Sequence, residues 1–346
     1  MRTAEVEFPQ HSERWKYRAV RQLKNFVWWG DYVLWVLFSP YKFRPLPRSV
    51  QSVLVVEDCG IGDLLVSTPV FRALKKGYRS VTVLVQPGLE DVLRGNPHVD
   101  RVVTSVEGKY DLGVILHART NGNGHMSRLL RRHCTFRIGC ARTGFREGKG
   151  FFLHRKTVPN FVVKKKEQDN LDVIRTIGLD GDVYLEAYTD FVPPLREYVV
   201  FHTHGAYVTH DWSQENWAQL AKNIQKPLVF TGTNKKYVQE IVSRIVGKNV
   251  IDATETTIRE FFGWIKHADL VVTVDTSAMH VASAFDTQVV SLFGAGDPRV
   301  WKPEPLTARS DVILSGDCHS CQRNFCVLGD HRCMVLIEPE DVLKCM

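Results

Sequence analysis

Short apolar runs alternate with amphipathic segments from residue 53 onward. The runs at 53–56, 81–85 and 112–116 predict buried strands, and residues 64–77 predict a helix that ends at Gly77. Strand, helix and strand at this spacing are typical of βαβ units in a parallel sheet.

A second series of the same kind follows Pro193 and Pro194, which form the best candidate for a linker. We predict strands at 198–201, 228–231, 270–274 and 289–293, a helix capped by Ser213, and another at 260–268. The expected fold class is therefore α/β, with two Rossmann-like, doubly wound parallel-sheet domains facing a cleft.

The first 48 residues differ from the rest. Basic side chains flank an aromatic run from Phe26 to Phe38 that contains Asp31. The run is shorter than the roughly 20 residues that cross a bilayer. Basic flanks with tryptophan predict an anchor lying in the membrane interface. The alternative is a helix packed on the protein's own surface.

Composition supports a globular chain of two domains. The chain has 346 residues, 44% hydrophobic and 24% charged, and a net charge of +7. This charge fits an anionic partner or membrane surface, but no basic run interleaved with aromatic residues predicts nucleic-acid binding. With no signal-peptide pattern and 8 cysteines in a long chain, we expect a reducing cytoplasm and no disulfide framework.

A glycine-containing turn joins the first predicted strand to its helix, and it holds Gly60, Gly62 and Asp63. A dinucleotide site of the Rossmann type would need a third glycine at Leu65 and an acid at Gln86, so a dehydrogenase is disfavoured. Asp63 is either a helix cap or a general base at the carboxyl end of the strand.

The strand at 270–274 runs directly into a second candidate site, formed by Asp275, Thr276, Ser277 and His280. Free backbone N–H groups and hydroxyls at a helix start bind diphosphates. The alternative is an ordinary capping motif with His280 packed one turn inside the helix.

Three histidines follow the strand at 198–201, namely His202, His204 and His210. Their spacing is a weak zinc signal, and His210 is more plausible as a partly protonated partner of a phosphate. Thr231 and Gly232, at the end of the strand at 228–231, join these residues as candidates for binding the same phosphate-containing ligand.

Four cysteines crowd together near the C-terminus: Cys318, Cys321, Cys326 and Cys333. Their spacing permits a small zinc site, although the second pair is not the usual C-x2-C. Buried or redox-sensitive thiols are the alternative.

Taken in order, these segments resemble the ADP-heptose:lipopolysaccharide heptosyltransferase family, glycosyltransferase family 9. The resemblance runs from about Val53 to the C-terminus, and Cys333-Met334 is similar to the tail of the second heptosyltransferase subgroup. The segments that carry it are 62–74, 96–102, 137–139, 275–282 and 292–301.

The resemblance implies a GT-B fold with an extension at 1–48, an acceptor domain at 49–192 and a nucleotide-sugar domain at 195–334. It implies that residues 335–346 form a helix crossing back to the first domain. It also implies an inverting transfer with no metal or other cofactor, in which Asp63 is the general base. The loop at 275–280 would bind the diphosphate of ADP-heptose.

The expected partners are a nucleotide-sugar donor, a lipid-linked glycan acceptor and an anionic membrane surface, on the cytoplasmic face of the inner membrane. Gly60, Gly62, Arg119 and Arg128 are the candidate acceptor- or phosphate-binding residues. His210 stands where the family usually has lysine, so donor identity stays open. The alternatives are a GT-B transferase with another nucleotide-sugar and a catalytically silent nucleotide-sugar-binding protein.

Overall fold

The computed structural model describes residues 14–117, 125–141, 143, 150–159, 162–205, 207–316, 318, 320–326 and 328–346, with side chains from residue 26 onward. Within these ranges the chain forms two parallel six-stranded sheets. No helix in this part of the chain is long and apolar enough to cross a membrane.

The first sheet has the order β3-β2-β1-β4-β5-β6. Its strands are β1 (Ser52–Val56), β2 (Ser80–Leu84), β3 (Arg101–Val103), β4 (Tyr110–Ile115), β5 (Cys134–Gly139) and β6 (Arg155–Lys156). The helices of this half are α1 (Arg14–Phe38), α2 (Ile61–Leu65), α3 (Thr68–Gly77), α4 (His125–His133) and α5 (Lys166–Arg175).

The second sheet has the order β12-β11-β10-β7-β8-β9. Its strands are β7 (Val199–His202), β8 (Leu228–Thr231), β9 (Val250–Ala253), β10 (Leu270–Val274), β11 (Val289–Phe293) and β12 (Ser310–Leu314). The helices are α6 (Gln214–Asn223), α7 (Lys235–Val242), α8 (Ile258–Lys266), α9 (Ser277–Ala284), α10 (Pro298–Trp301), α11 (Arg332–Val335) and α12 (Pro339–Leu343).

The strand order reverses once in each sheet. The reversal lies between β1 and β4 in the first sheet and between β7 and β10 in the second. In open α/β sheets, ligands bind outside the carboxyl ends of the strands at such a switch point. The fold therefore marks one candidate site on each sheet, and the predicted α/β class is confirmed.

Apolar packing between the two sheets is continuous. Phe71 on α3 belongs to the same buried cluster as Phe262 on α8 and Met279 on α9. Pro193 and Pro194 lie in a stretch without helix or strand, at 179–198. The two halves thus share a core beside the predicted linker, while the proposed domain limits stay a prediction.

The last residues pack on the second sheet's own layer. The indole N–H of Trp212 donates to the carbonyl of Ile337 over 2.8 Å, and Val342 on α12 belongs to the buried cluster that contains Trp217 on α6. The expectation that residues 335–346 cross back to the first domain is therefore wrong. These residues instead pack against an apolar face of α6.

Helix α1 packs one side on the first domain and exposes apolar side chains on the other side. Asp31, Trp35 and Ser39 face the first domain and are buried. The Trp35 indole donates to the carbonyl of Leu153 over 3.2 Å. The opposite side of the helix carries exposed apolar side chains, including Phe26. The helix thus packs on the protein's surface and still presents an apolar face to the outside.

Candidate active site

Asp63 lies at the switch point of the first sheet. It sits in α2, immediately after β1, and Gly60 is the residue before the helix. The backbone N–H of Gly60 approaches the Asp63 Oδ2 atom at 3.4 Å. Asp63 therefore does cap its helix, as the simpler interpretation proposed. Its side chain is nevertheless 31% exposed, so a ligand can reach it.

Helix α2 faces the start of α9 across the two sheets. A Cβ atom on Gly62 would lie 3.6 Å from the Cα atom of Ser277 and 3.1 Å from the Cδ2 atom of His280. Glycine at position 62 thus permits the close approach of α9. The Asp63 segment and the helix start after Val274 are neighbours, which is the relation that sugar transfer between the two domains requires.

Two residues without a predicted role complete the Asp63 environment. His117 follows β4, on the other side of the switch point, and Glu57 follows β1. The His117 Nε2 atom lies 3.4 Å from Asp63 Oδ1, and its Nδ1 atom lies 2.6 Å from Glu57 Oε1. Their position after strands that meet at the switch point is the signal that sequence reasoning missed.

Glu57 is fully buried and held from a second direction. The Ser67 hydroxyl donates to Glu57 Oε2 over 2.9 Å, and Ser67 in turn accepts from the Asn170 amide over 3.1 Å. A carboxylate with no exposure is costly unless such partners surround it. This polar network connects α3 and α5 to the side of Asp63 that faces the protein interior.

Glu57, His117 and Cys59 also offer one ligand atom each within 4.8 Å of one another. It is the one such group found among the described residues. A carboxylate, an imidazole and a thiolate are ligands that zinc accepts. The direct 2.6 Å contact between Glu57 and His117 instead fits a shared proton.

The predicted donor loop forms the start of α9. Thr276 is the residue before the helix, and its hydroxyl accepts from the backbone N–H of Ala278 over 3.4 Å. The Thr273 and Thr276 hydroxyls lie 3.2 Å apart. Capping thus occupies one donor, while the helix start still directs its positive end toward α2.

Asp275 is buried at the same turn. Burial raises the pKa of its carboxyl to about 6, and the neighbouring His210 opposes that shift. The His210 Nδ1 atom lies 2.8 Å from the Asp275 carbonyl oxygen and 3.7 Å from Oδ2. A Cβ atom on Gly296 would lie 1.5 Å from Asp275 Oδ2, so the 294–297 loop closes over this carboxyl group.

His280 lies between the two domains. Burial lowers the pKa of its imidazole to about 4, Asp63 opposes the shift, and Lys165 adds to it. The ring makes an edge contact with Trp301 at 6.0 Å, and Nδ1 has no hydrogen-bond partner among the described residues. His280 is therefore a neutral imidazole beside Asp63 at neutral pH.

The other predicted histidine and donor positions have structural partners. His202 Nδ1 lies 3.0 Å from the Thr231 hydroxyl, and both side chains are buried. The His204 Nε2 atom accepts from the backbone N–H of Asn234 over 2.9 Å. Gly232 has φ +140, and a Cβ atom there would lie 2.5 Å from the His204 ring. These side chains shape the loop after β8.

Two of the predicted acceptor residues, Gly60 and Gly62, lie in the turn that holds Asp63. Arg128 on α4 is exposed and lines a groove with Leu84, Ser105 and Arg132. Arg119 lies outside the described residues. The lysines at 164–166 have carboxylate partners within the protein. For example, Lys165 pairs with Glu304 across the domains at 2.8 Å.

The four C-terminal cysteines are close enough to influence one another. A hydrogen bond with the Cys318 thiol, burial and the neighbouring thiol groups raise the pKa of Cys333. The segment is anchored beside the donor loop, because the N–H of Ser320 donates to the carbonyl of Gly294 over 2.9 Å. The zinc hypothesis for Cys318, Cys321, Cys326 and Cys333 stays a prediction.

Comparison with known proteins agrees with this geometry. The model of glycosyltransferase family 9 (heptosyltransferase) matches residues 166–331. Lipopolysaccharide heptosyltransferase 3 of Escherichia coli is 24% identical over 293 residues, 70% of this chain and 83% of that protein.

Two solved structures establish the architecture. The family 9 glycosyl transferase from Veillonella parvula superposes with a TM-score of 0.70 at 18% identity, over 87% of this chain and 97% of that one. The E. coli ADP-heptose lipopolysaccharide heptosyltransferase II gives 0.67 at 19% identity, over 85% and 97%. The predicted resemblance is confirmed: residues 166–331 match the model of glycosyltransferase family 9 (heptosyltransferase), and the two sheets have the GT-B architecture of these solved structures.

Proposed function

We propose that the protein is an inverting glycosyltransferase that moves a heptose from ADP-heptose to a lipid-linked lipopolysaccharide core acceptor. The observation that carries the proposal is the apposition of Asp63 and the start of α9, seen in the contact of Gly62 with Ser277 and His280. The names of similar proteins supply the sugar and the acceptor class.

In the proposed reaction, Asp63 removes the proton of an acceptor hydroxyl while that oxygen attacks the anomeric carbon. The bond from the anomeric carbon to the donor phosphate breaks, and its electron pair leaves with ADP. Backbone N–H groups at the start of α9 stabilise the charge that develops on the diphosphate. A helix start at this place reduces the need for a metal ion, and we propose that none is required.

The exposed face of α1 supports a peripheral position on the cytoplasmic face of the inner membrane. Phe26, Leu37 and Phe38 are each more than 60% exposed, and Lys42 and Arg44 follow the helix. Apolar side chains beside basic ones bind the headgroup region of an anionic bilayer. This location would bring the groove near Arg128 close to a lipid-linked acceptor, with no role for nucleic acid.

A different nucleotide-sugar is the second candidate donor. The specific observation is His210, which contacts Asp275 where the family usually carries a permanently charged lysine. A panel of ADP-, UDP- and GDP-sugars, ranked by the thermal shift each produces, distinguishes these donors. A larger shift with UDP- or GDP-sugars than with ADP-heptose would contradict the proposed donor.

The base assignment is tested with Asp63→Asn. We expect transfer to fall by about 10²–10⁴-fold because the amide does not accept the hydroxyl proton, while the affinity for ADP measured by calorimetry stays the same. Full turnover by this variant would remove Asp63 from its role. Retained ADP binding with no transfer by the wild-type protein to any acceptor would favour the catalytically silent alternative.

Metal independence is tested separately with EDTA. We expect dialysed protein to transfer sugar at an unchanged rate in the chelator, and added Mg²⁺ not to increase the rate. Loss of turnover in EDTA, restored by Zn²⁺ or another divalent ion, would show that a metal takes part in transfer.

A further inference from the structure

We propose that His117 is a positioning residue that receives, through Asp63, the proton taken from the acceptor, and that buried Glu57 holds it in the tautomer this requires. The inference rests on the proposed function and extends it. It starts from three neighbouring side chains. His117 lies between Glu57, at 2.6 Å from Nδ1, and Asp63, at 3.4 Å from Nε2.

The tautomer follows from the Glu57 contact. A carboxylate oxygen and an imidazole nitrogen 2.6 Å apart repel each other less when the nitrogen carries a proton than when it presents a lone pair. The contact is close but poorly aligned, because Glu57 Oε1 and both ring nitrogens of His117 lack a partner with hydrogen-bond geometry among the described residues. In the proposal the ring proton is on Nδ1, and Nε2 presents a lone pair toward Asp63.

The resulting proton path is balanced. Asp63 Oδ1 takes the hydroxyl proton as the glycosidic bond forms, and the same oxygen then passes that proton to His117 Nε2. The product of this step is an imidazolium between two carboxylates, which the buried charge of Glu57 stabilises. The proton returns to water once ADP has left and Asp63 is exposed again. No oxidant, reductant or further reactant is needed.

Among the described residues, a second imidazole lies beside Asp63. It is that of His280, on the facing helix, and burial lowers its pKa to about 4, so it competes poorly for the proton. Lys165, which precedes α5, also lowers the pKa of His280. Its ammonium group is paired with Glu304 at 2.8 Å. His117, in contrast, has the buried carboxylate of Glu57 as its partner, and this negative charge favours the protonated ring.

The test compares His117→Ala, His117→Gln and Glu57→Gln with wild-type protein. Glutamine at 117 keeps a hydrogen bond to Asp63 but does not take up a proton. Glutamine at 57 accepts the Nδ1 proton but lacks the charge. We expect kcat to fall about 10- to 100-fold in all three, within the usual range for proton transfer, with the Kd for ADP unchanged.

The matched control is His98→Gln. His98 forms the same kind of pair in the same domain, with Nε2 at 3.5 Å from Glu186 Oε2, and it plays no part in the site. We expect its kcat to equal that of the wild type. If His117→Gln restores the wild-type kcat that His117→Ala loses, His117 only holds Asp63 in place and the proton transfer is overturned.

A second measurement does not depend on activity. Nitrogen-15 NMR should show His117 protonated at Nδ1 in the wild type and in Glu57→Gln, and Glu57→Ala, which has no acceptor at this position, should remove this preference. An Nε2–H tautomer, or metal bound at Glu57, Cys59 and His117 in purified protein, would overturn the proposal. Loss of transfer in Asp63→Asn with unchanged kcat in the His117 variants would reject the relay and leave the proposed function standing.

Discussion

At the residue scale, a few side chains at the two switch points determine the chemistry of this site. Asp63 and the 275–280 turn could be predicted from sequence, because each follows a strand and opens a helix. Glu57 and His117 could not, because one looks like the end of a strand and the other like a lone histidine. Only the parallel register of β1 with β4 brings them to the same edge.

Gly296 provides a prediction about the donor side. A Cβ atom there would lie 1.5 Å from Asp275 Oδ2, so Gly296→Ala must displace the loop or the carboxyl group. We expect the Kd for ADP to rise about tenfold or more and stability to fall by about 1–3 kcal/mol. Gly316→Ala is the matched control, because nothing lies within 4 Å of a Cβ atom at Gly316. Equal affinities in the two variants would contradict this prediction.

Buried histidines predict a loss of stability in acid. Burial lowers the pKa of His202 to about 3 in the folded protein, whereas the unfolded chain titrates near its ordinary value of about 6.5. Between these values the unfolded state binds more protons, so the free energy of unfolding rises with pH. Asp275, with a pKa raised to about 6, acts in the opposite direction.

The test uses His202→Asn, which keeps a polar atom near the Thr231 hydroxyl but does not titrate. Urea unfolding at pH 5.0 and 6.5 measures the pH dependence. We expect the wild type to lose on the order of 2 kcal/mol more than the variant over this interval. The same loss in both proteins would mean that His202 does not contribute.

At the scale of elements, the sequence predicted the central strands best. The strands at 228–231, 270–274 and 289–293 match β8, β10 and β11 residue for residue, because buried strands of a parallel sheet are continuous apolar runs. The edge strand β3 and the two-residue β6 were missed, since such short segments carry too little pattern. The C-terminal segment was assigned to the wrong domain. An apolar pattern shows that a helix is packed against something, but it does not identify the surface on which the helix packs.

Helix α12 provides the prediction at this scale. Val342 is fully buried against the α6 cluster, so Val342→Ala should lower the free energy of unfolding by about 1–3 kcal/mol through lost burial and a cavity. Val335→Ala makes the same chemical change at a position that is 55% exposed, and should change it by less than about 0.5 kcal/mol. Chemical denaturation measures both, and equal effects would place α12 off the α6 surface.

At the scale of the whole molecule, we propose that the two sheets form the site and that α1 attaches it to the membrane. The reversal points of both sheets meet where Gly62 approaches α9, so the proposed donor and acceptor sites are neighbours. Helix α1 is fixed to the first domain through Trp35 and Ser39. The exposed face of the helix therefore moves with the acceptor groove rather than on a free tether. We expect membrane attachment to orient the site as well as to raise its local concentration.

This orientation can be tested without disturbing the helix itself. Removing residues 1–44 would also remove the buried contacts of Trp35 and Ser39, whereas Leu37→Ser with Phe38→Ser changes only side chains that are 62% and 65% exposed. We expect the double variant to keep its thermal stability and to sediment less with anionic vesicles. Val246→Ser is the control, because Val246 is 92% exposed on the second domain.

If α1 orients the enzyme, the double variant should lose transfer to an acceptor embedded in vesicles and keep transfer to the same glycan in detergent. Equal loss in both, or vesicle binding like that of the control, would mean that this face has another purpose.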